Sequence, residues 1–340
     1  MASKPTIADV AARAGVSKGA ASLALNGKSG VSDRTRGRVR RAADELGFIP
    51  SATAQALAGR RADTLGLILT RDPSLLGSDP FFAPFIAGVE TVIAPQGRAL
   101  TLRFVEPALE GDAYLDAAGA HRVDGVILAD LRAGDPRPGL LDRLHLPYVT
   151  LNRPEVESAG PAVCLDDRAG IRAAVEYLIE LGHRRIAHVS GPSVYLHATH
   201  RQAAWAAALA TADLPPGPVA VADFTAAGGA AATEMLLEAD PRPTAILYAN
   251  DLMAIAGQAV AQRRGLDVPG ELSIVGYDDI ELAAYLQPAL STVRTDAAGW
   301  GRATATALLA AVAGRPTGDT HLPAAMFIPR SSTAAASALH

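Results

Sequence analysis

The sequence predicts an all-α helix-turn-helix head followed by an α/β body of two parallel-sheet lobes. Three observations carry this. Residues 6–26, TIADVAARAGVSKGAASLALN, place apolar residues at helical spacing on both sides of a glycine turn. Beyond residue 61, short apolar runs alternate with amphipathic segments, the pattern of parallel strands covered by helices. Charge divides at the same place: residues 1–61 hold 11 Lys/Arg and 4 Asp/Glu, a formal +7, and the rest hold 20 and 31, a formal −11.

The head is read first. Ile7, Val10, Ala11 and Ala14 form the apolar face of a short helix, Thr6 can cap its start with Asp9 three residues on, and Gly15 stops it. Ser17 can cap a second helix, whose Ala20, Ala21 and Ala24 are small enough to pack closely on the first. Two short helices joined by a glycine-containing turn fit the second into the major groove of DNA. Gly27 and Gly30 mark a loop. Ser32 can cap a third helix with the stripe Val39, Ala42, Ala43 and Leu46, and Gly47 and Pro50 end it. Arg34, Arg36, Arg38, Arg40 and Arg41 surround that stripe, a basic rim suited to phosphate contacts. Residues 51–59, SATAQALAG, are helix formers but too few for a stable isolated helix. They read either as a helix that orders against DNA, with Leu57 as a minor-groove wedge, or as a plain linker.

In the body, apolar runs at 65–69, 100–104, 125–128, 148–151, 186–189, 219–222, 245–248 and 273–275 read as strands. Amphipathic segments at 83–96, 168–181, 199–210, 228–238 and 251–264 read as helices. Some 280 residues exceed one sheet, so two lobes are expected, with a ligand in the cleft at the carboxyl ends of the strands.

Composition removes other classes. One cysteine, Cys164, gives no disulfide framework and no cysteine zinc site. The start, MASKPTIADV, lacks the apolar run of a secretion signal and no segment reads as a membrane span, so a cytoplasmic protein without membrane association is expected. GVSKG at 15–19 matches G-x-S-x-G, but a helix rather than a strand precedes it. Gly299-Trp-Gly301 starts like a dinucleotide fingerprint, but Thr304 stands where a small residue belongs and no strand leads into it. No phosphate loop and no H-E-x-x-H motif occurs, so no enzyme and no cofactor is expected.

The head pattern T-I-x-D-V-A-x-x-A-G-V-S, S-x-x-L-N, V-S-x-x-T-R-x-x-V and E-L-G-F-x-P, from Thr6 to Pro50, resembles the lac-repressor/galactose-repressor family of bacterial transcription regulators. A-x-x-L-A, at Ala54, Leu57 and Ala58, fits that family's hinge and favours Leu57 as the wedge. The resemblance implies a recognition helix over 17–25. Thr6, Ser17, Lys18, Gly19, Ala20, Ser22, Leu23, Asn26, Arg34, Ser51, Ala54 and Leu57 become the DNA-contacting candidates. The chain departs from the pattern at Ala20, Ala21 and Leu23, where Thr, Val and often Arg are usual. Lys18 remains the main reader of base edges, and Leu23 can offer only apolar contact, as to a thymine methyl.

The body resembles the same family and the related periplasmic sugar-binding proteins. The matching segments are D-P-F-F at 79–82, LGHRRIAHVSG at 181–191, R-x-x-x-W at 201–205, YANDLMAIAG at 248–257 and SIVGYDDIEL at 273–282. The resemblance implies a polar small-molecule effector, a sugar or sugar derivative, hydrogen-bonded by Asn152, Arg201, Asn250 and Asp278 and stacked on Phe82 and Phe224. Each also has a plainer reading: helix caps for Asn250, Asp278 and Asp279, core for the two phenylalanines. His197 and His200 form H-x-x-H before Arg201 and would share a helix face. They are expected to line the cleft rather than bind metal, making effector affinity pH-dependent between about 5 and 8. The expected division is a head at 1–50, a hinge at 51–61, a first lobe of 62–161 with 292–322, and a second of 162–291 with 323–340. A homodimer on double-stranded operator DNA follows, its affinity set by the effector through the spacing of the two hinges. The alternative is a solute-binding protein of a sugar transporter, against which the basic head counts.

Overall fold

The computed structural model describes residues 5–25, 29–48, 62–73, 77 and 79–337. The chain forms two compact units, Met1–Ala62 and Asp63–His340.

The first unit is helical. Helix α1 (Ile7–Ala14) opens on a capping box between Thr6 and Asp9, and Gly15 closes it in the left-handed conformation, its N–H donating to the Ala11 and Ala12 carbonyls. Helix α2 (Lys18–Leu25) follows, with the Ser17 hydroxyl accepting from the Ala20 N–H at 3.1 Å. Helix α3 (Asp33–Leu46) is capped by Ser32 and closed by Gly47. Val10, Ala11, Ala14, Ala21, Ala24, Val39, Ala42 and Ala43 make one core. Because most are alanines, the helices pack closely. Ala20 stays on the rim of this core. Arg38 donates to the carbonyls of Ala14 and, at 3.1 Å, Gly15, tying α3 to the turn.

The second unit holds two parallel sheets. In the first, β1 (Thr64–Leu69), β2 (Ala99–Phe104), β3 (Gly125–Leu128), β4 (Tyr148–Leu151), β5 (Ala162–Cys164) and β11 (Thr320–His321) lie in the order β11-β5-β4-β3-β1-β2. In the second, β6 (Ile186–Ser190), β7 (Val219–Val221), β8 (Ala245–Tyr248) and β9 (Ser273–Val275) lie in the order β7-β6-β8-β9. A separate antiparallel pair joins β10 (Thr292–Arg294) to β12 (Met326–Ile328).

Strands β1, β3, β4, β6, β8 and β9 are buried on both faces, which is why they read as apolar runs rather than alternations, whereas β2 alternates between exposed and half-buried positions. Helices α4 (Phe82–Ile93) and α11 (Ala297–Val312) cover one face of the first sheet, α5 (Glu110–Gly119) and α6 (Arg137–Leu144) the other. On the second sheet, α7 (Arg168–Glu180) and α8 (Leu196–Thr211) take one face, α9 (Ala226–Leu237) and α10 (Asp251–Arg263) the other. Leu196 is shared: it opens α8 but packs in the first lobe's core with Ile68, Leu128 and Leu131. Its N–H donates to the Leu131 carbonyl at 2.8 Å, beside a backbone bridge between Arg132 and Tyr195.

Two expected lobe boundaries shift. β5 belongs to the first sheet, so that boundary falls after Cys164 rather than 161. β10 lies beside the segment that follows β9, through the Asp278 N–H to the Val293 carbonyl, and Val293 packs in the second lobe's core, so the return crossing comes after Arg294 rather than before 292. Strands of three residues carry no periodicity that a sequence reading can use.

Candidate functional site

The strand orders fix where a ligand can sit. In the first sheet the order reverses between β1 and β3, in the second between β6 and β8, and a crevice opens at the carboxyl end of each such point. Arg71 and Asp130 follow β1 and β3. Gly191 and Asn250 follow β6 and β8. Asn152 and Asp278 follow β4 and β9. One cleft gathers all of these except Gly191, holding about 840 Å³ with its mouth, and Arg201 from α8 joins them there.

Asn152, His197, His200, Arg201, Phe224, Asn250 and Asp278 line this cleft together. Phe82 does not. It is buried in the first lobe's core, with its ring 5.4 Å from the Arg71 guanidinium, and Phe81 lines the cleft in its stead. The backbone bends to present several of these groups: Asp130, Asn152, Phe224 and Asp278 all adopt positive φ, a conformation costing about 1–3 kcal/mol each.

Arg201 is fixed from several sides. Its Nη1 donates to the Ala249 carbonyl at 2.9 Å, its Nε to Asp167 at 3.4 Å, and its guanidinium lies 3.6 Å from the centre of the Tyr277 ring. Burial opposes its charge, but Tyr277, Asp167 and Asp278 hold its pKa above the ordinary value. Burial and then the neighbouring Asp251 push Asp278 well above the usual carboxylate range, against the pull of Arg201. Asn250 serves as a cap: its Oδ1 accepts from the Met253 N–H at 2.9 Å and its Nδ2 donates to the Phe224 carbonyl at 2.9 Å. It thereby positions both α10 and Phe224. Asn152 accepts from the Leu165 N–H at 2.7 Å, bracing the crossing between lobes.

The two histidines part company. His197 stacks between the rings of Tyr195 and Phe224, at 5.6 and 5.5 Å. Loss of water and the nearby Arg201 guanidinium push its pKa down to about 3. The expected titration between pH 5 and 8 therefore does not come from His197, which is neutral throughout that range. His200 lies 3.6 Å from the Glu155 carboxylate.

Sequence reading missed Arg71, Asp79, Asp130 and Tyr195. Arg71 donates from Nε and Nη2 to both oxygens of Asp130, 2.6 Å each, and from Nη1 to Asp79 at 2.7 Å. Burial opposes ionisation of both acids. At Asp130 the bidentate pair prevails and lowers the pKa; at Asp79, with one bond from Arg71 and one from the Phe81 N–H, burial prevails and raises it. A signal was present: Arg71 and Asp130 sit two residues past the apolar runs 65–69 and 125–128, where strand-end chemistry is expected.

In the head, Thr6, Ser17, Lys18, Gly19 and Arg34 are exposed, while Ala20, Ser22 and Leu23 are half-buried. A Cβ built on Gly30 would lie 3.5 Å from a Leu23 methyl, so Leu23 packs partly on its own loop. Asn26, Ser51, Ala54 and Leu57 fall outside the described residues. Also among the described residues, no helix is long and apolar enough to cross a membrane.

Comparison with known proteins agrees with both units. Residues 6–51 match the family described as bacterial regulatory proteins, lacI family, and residues 175–333 match a periplasmic binding protein-like domain. The HTH-type transcriptional regulator CelR of Thermobifida fusca is 34% identical over 323 residues, 94% of this chain and 95% of that protein. A solved complex of CelR with cellobiose superposes with a TM-score of 0.74 at 33% identity, covering 96% of this chain and 99% of that one. A lac repressor dimer bound to operator and the anti-inducer ONPF gives 0.82 at 30%, covering 98% and 100%. With a regulator's head present, the transporter alternative falls away, and the chain belongs to the LacI family of HTH-type transcriptional regulators.

Proposed function

We propose that the protein is a cytoplasmic repressor, not an enzyme, that binds double-stranded operator DNA as a homodimer and is controlled by an uncharged sugar in the cleft. The observation that carries the reading is the convergence of strand-end residues from both lobes on one cleft, below a basic head in the sequence. Asn152, Arg201 and Asp278 supply hydrogen bonds to hydroxyls and Phe224 an apolar face. Lys18 reads base edges, Thr6, Ser17, Ser22 and Arg34 contact the backbone, and Leu57 in the connecting segment 51–61 is the minor-groove wedge. The CelR–cellobiose complex and the operator-bound lac repressor dimer support the sugar, the DNA and the dimer by similarity.

The effector's charge follows from the pairing of the arginines. Arg71 is matched by Asp79 and Asp130, Arg201 by Asp167, and Arg153 by Asp319. Among the described residues, an anionic effector would meet no uncompensated arginine in the cleft, and burying its charge would go unrewarded. A thermal-shift screen of cellobiose, other neutral disaccharides, gluconate and sugar phosphates, followed by gel shifts on the protein's own upstream DNA, tests this. Neutral sugars are expected to raise the melting temperature and alter a salt-sensitive, sequence-preferring shift. Absence of specific DNA binding, or a response to sugar phosphates alone, overturns it.

A further inference from the structure

Arg71 is held as a bound ligand would be. Two first-lobe carboxylates, Asp79 and Asp130, engage Nε, Nη1 and Nη2. Three rings surround the same guanidinium, Phe82 at 5.4 Å, Tyr195 at 5.0 Å and Phe224 at 5.3 Å. Phe82 comes from the first lobe; Tyr195 and Phe224 come from the second. Carboxylates in the plane of a guanidinium and aromatic rings around it are the donor set that recognises alkylguanidinium and ammonium groups. With two carboxylates to one guanidinium, the box demands a cation.

We infer that this acid–aromatic box is a cation-binding subsite filled by the chain's own Arg71, whose guanidinium ties the two lobes together. A first-lobe ion pair alone would need only Asp79 and Asp130. The rings of Tyr195 and Phe224 add a contact that breaks when the lobes part. One consequence rests on the reading of the cleft as an effector site. A neutral sugar cannot replace a cation between two carboxylates, so it binds beside Arg71, against Asn152, Arg201 and Asp278, and leaves the tie in place.

The test is chemical rescue, read by thermal unfolding of the full chain without DNA or effector. Arg71→Ala is expected to melt below the wild type. Millimolar ethylguanidinium is expected to raise its melting temperature saturably, while neutral ethylurea does nothing and the wild type does not respond. In Arg71→Ala/Tyr195→Leu the apparent dissociation constant for ethylguanidinium should rise at least severalfold, because the second-lobe wall is gone. If Arg71→Ala does not fold, Arg71→Ala/Asp79→Asn, which leaves one unpaired carboxylate instead of two, carries the same comparison. Equal responses to ethylguanidinium and ethylurea overturn the subsite. Undiminished rescue in the Tyr195→Leu background overturns the tie between lobes. Either failure leaves the sugar and operator tests above untouched, since neither reagent is used in them.

Discussion

Replacing His197 by Phe removes a titration that the cleft has suppressed, while keeping a flat ring between Tyr195 and Phe224. In the unfolded chain His197 takes a proton near its ordinary pKa of 6.5; in the folded protein it does so only near 3. The unfolded state therefore binds the proton first. The stability this neutral histidine contributes is complete above pH 6.5 and is lost as pH falls toward 3. Between about pH 7.5 and about pH 5.5 the linkage costs about 1 kcal/mol. His188, depressed to about 4 by burial, adds a loss of the same sign. Asp251 acts oppositely: burial raises it to about 6, so the folded state binds its proton first and gains stability over the same interval. The wild-type curve mixes these contributions, and the difference between wild type and His197→Phe isolates one. Urea denaturation of both proteins at the two pH values, at one protein concentration, gives the number. The variant should lose about 1 kcal/mol less than the wild type. Parallel losses would mean that His197 is protonated within the folded protein, and the account of a dry, cationic surrounding would be refuted.

Further outcomes are expected elsewhere. A Cβ at Gly191 would stand 2.0 Å from the Phe224 ring, so Gly191→Ala must displace the ring; about 1–3 kcal/mol of stability and a good part of the affinity for the proposed sugar should go, measured by denaturation and titration calorimetry. Leu196→Ala removes a second-lobe side chain from the first-lobe core and should cost about 2–5 kcal/mol in urea denaturation; a cost below about 1 kcal/mol would mean that the side chain is not packed there. Lys18→Ala should weaken operator binding by about 1–3 kcal/mol and relax base preference, whereas Arg34→Ala should weaken all sequences alike and reduce the salt slope by about 1. Gel shifts over a salt series on operator and scrambled DNA separate the two.

The elements that were legible in the sequence are those with length or caps. Helix α3 was readable from Ser32, its stripe and Gly47, and β1, β3 and β8 from their apolar runs, because burial on both sides favours apolar side chains at successive positions. Helices α5 and α6 escaped notice, since both are short and α5 mixes acidic residues among its apolar ones. Asn250 shows a different limit. Its position after β8 was identified from the family pattern, but the cap it makes and the bond to the Phe224 carbonyl come from residues three and twenty-six positions away. The capping reading and the pocket reading turn out to describe one residue, because a side chain that starts a helix at a strand's carboxyl end also stands at the rim of the crevice.

Charge is where sequence reading reached least far, for a physical reason. An arginine's role depends on which carboxylate neutralises it, and Arg71 finds its partner fifty-nine residues on, at Asp130. Taken one by one, the cleft's arginines suggest a site for anions. Paired as the fold pairs them, they leave a nearly neutral, hydrogen-bonding surface. The same step separates Arg201 from Arg71. Arg201 is stretched between Asp167, the Ala249 carbonyl and the Tyr277 ring on its own lobe, so it can turn spare donors to a hydroxyl without loosening any contact between lobes. Arg71 spends three of its five N–H groups on first-lobe acids and its faces on rings from both lobes, so moving it costs an ion pair and a lobe contact together. A ligand that pulls the lobes closer strengthens the second contact without having to break the first. By reciprocity, whatever the tie adds to lobe closure it also adds to the affinity of a ligand that prefers the closed cleft.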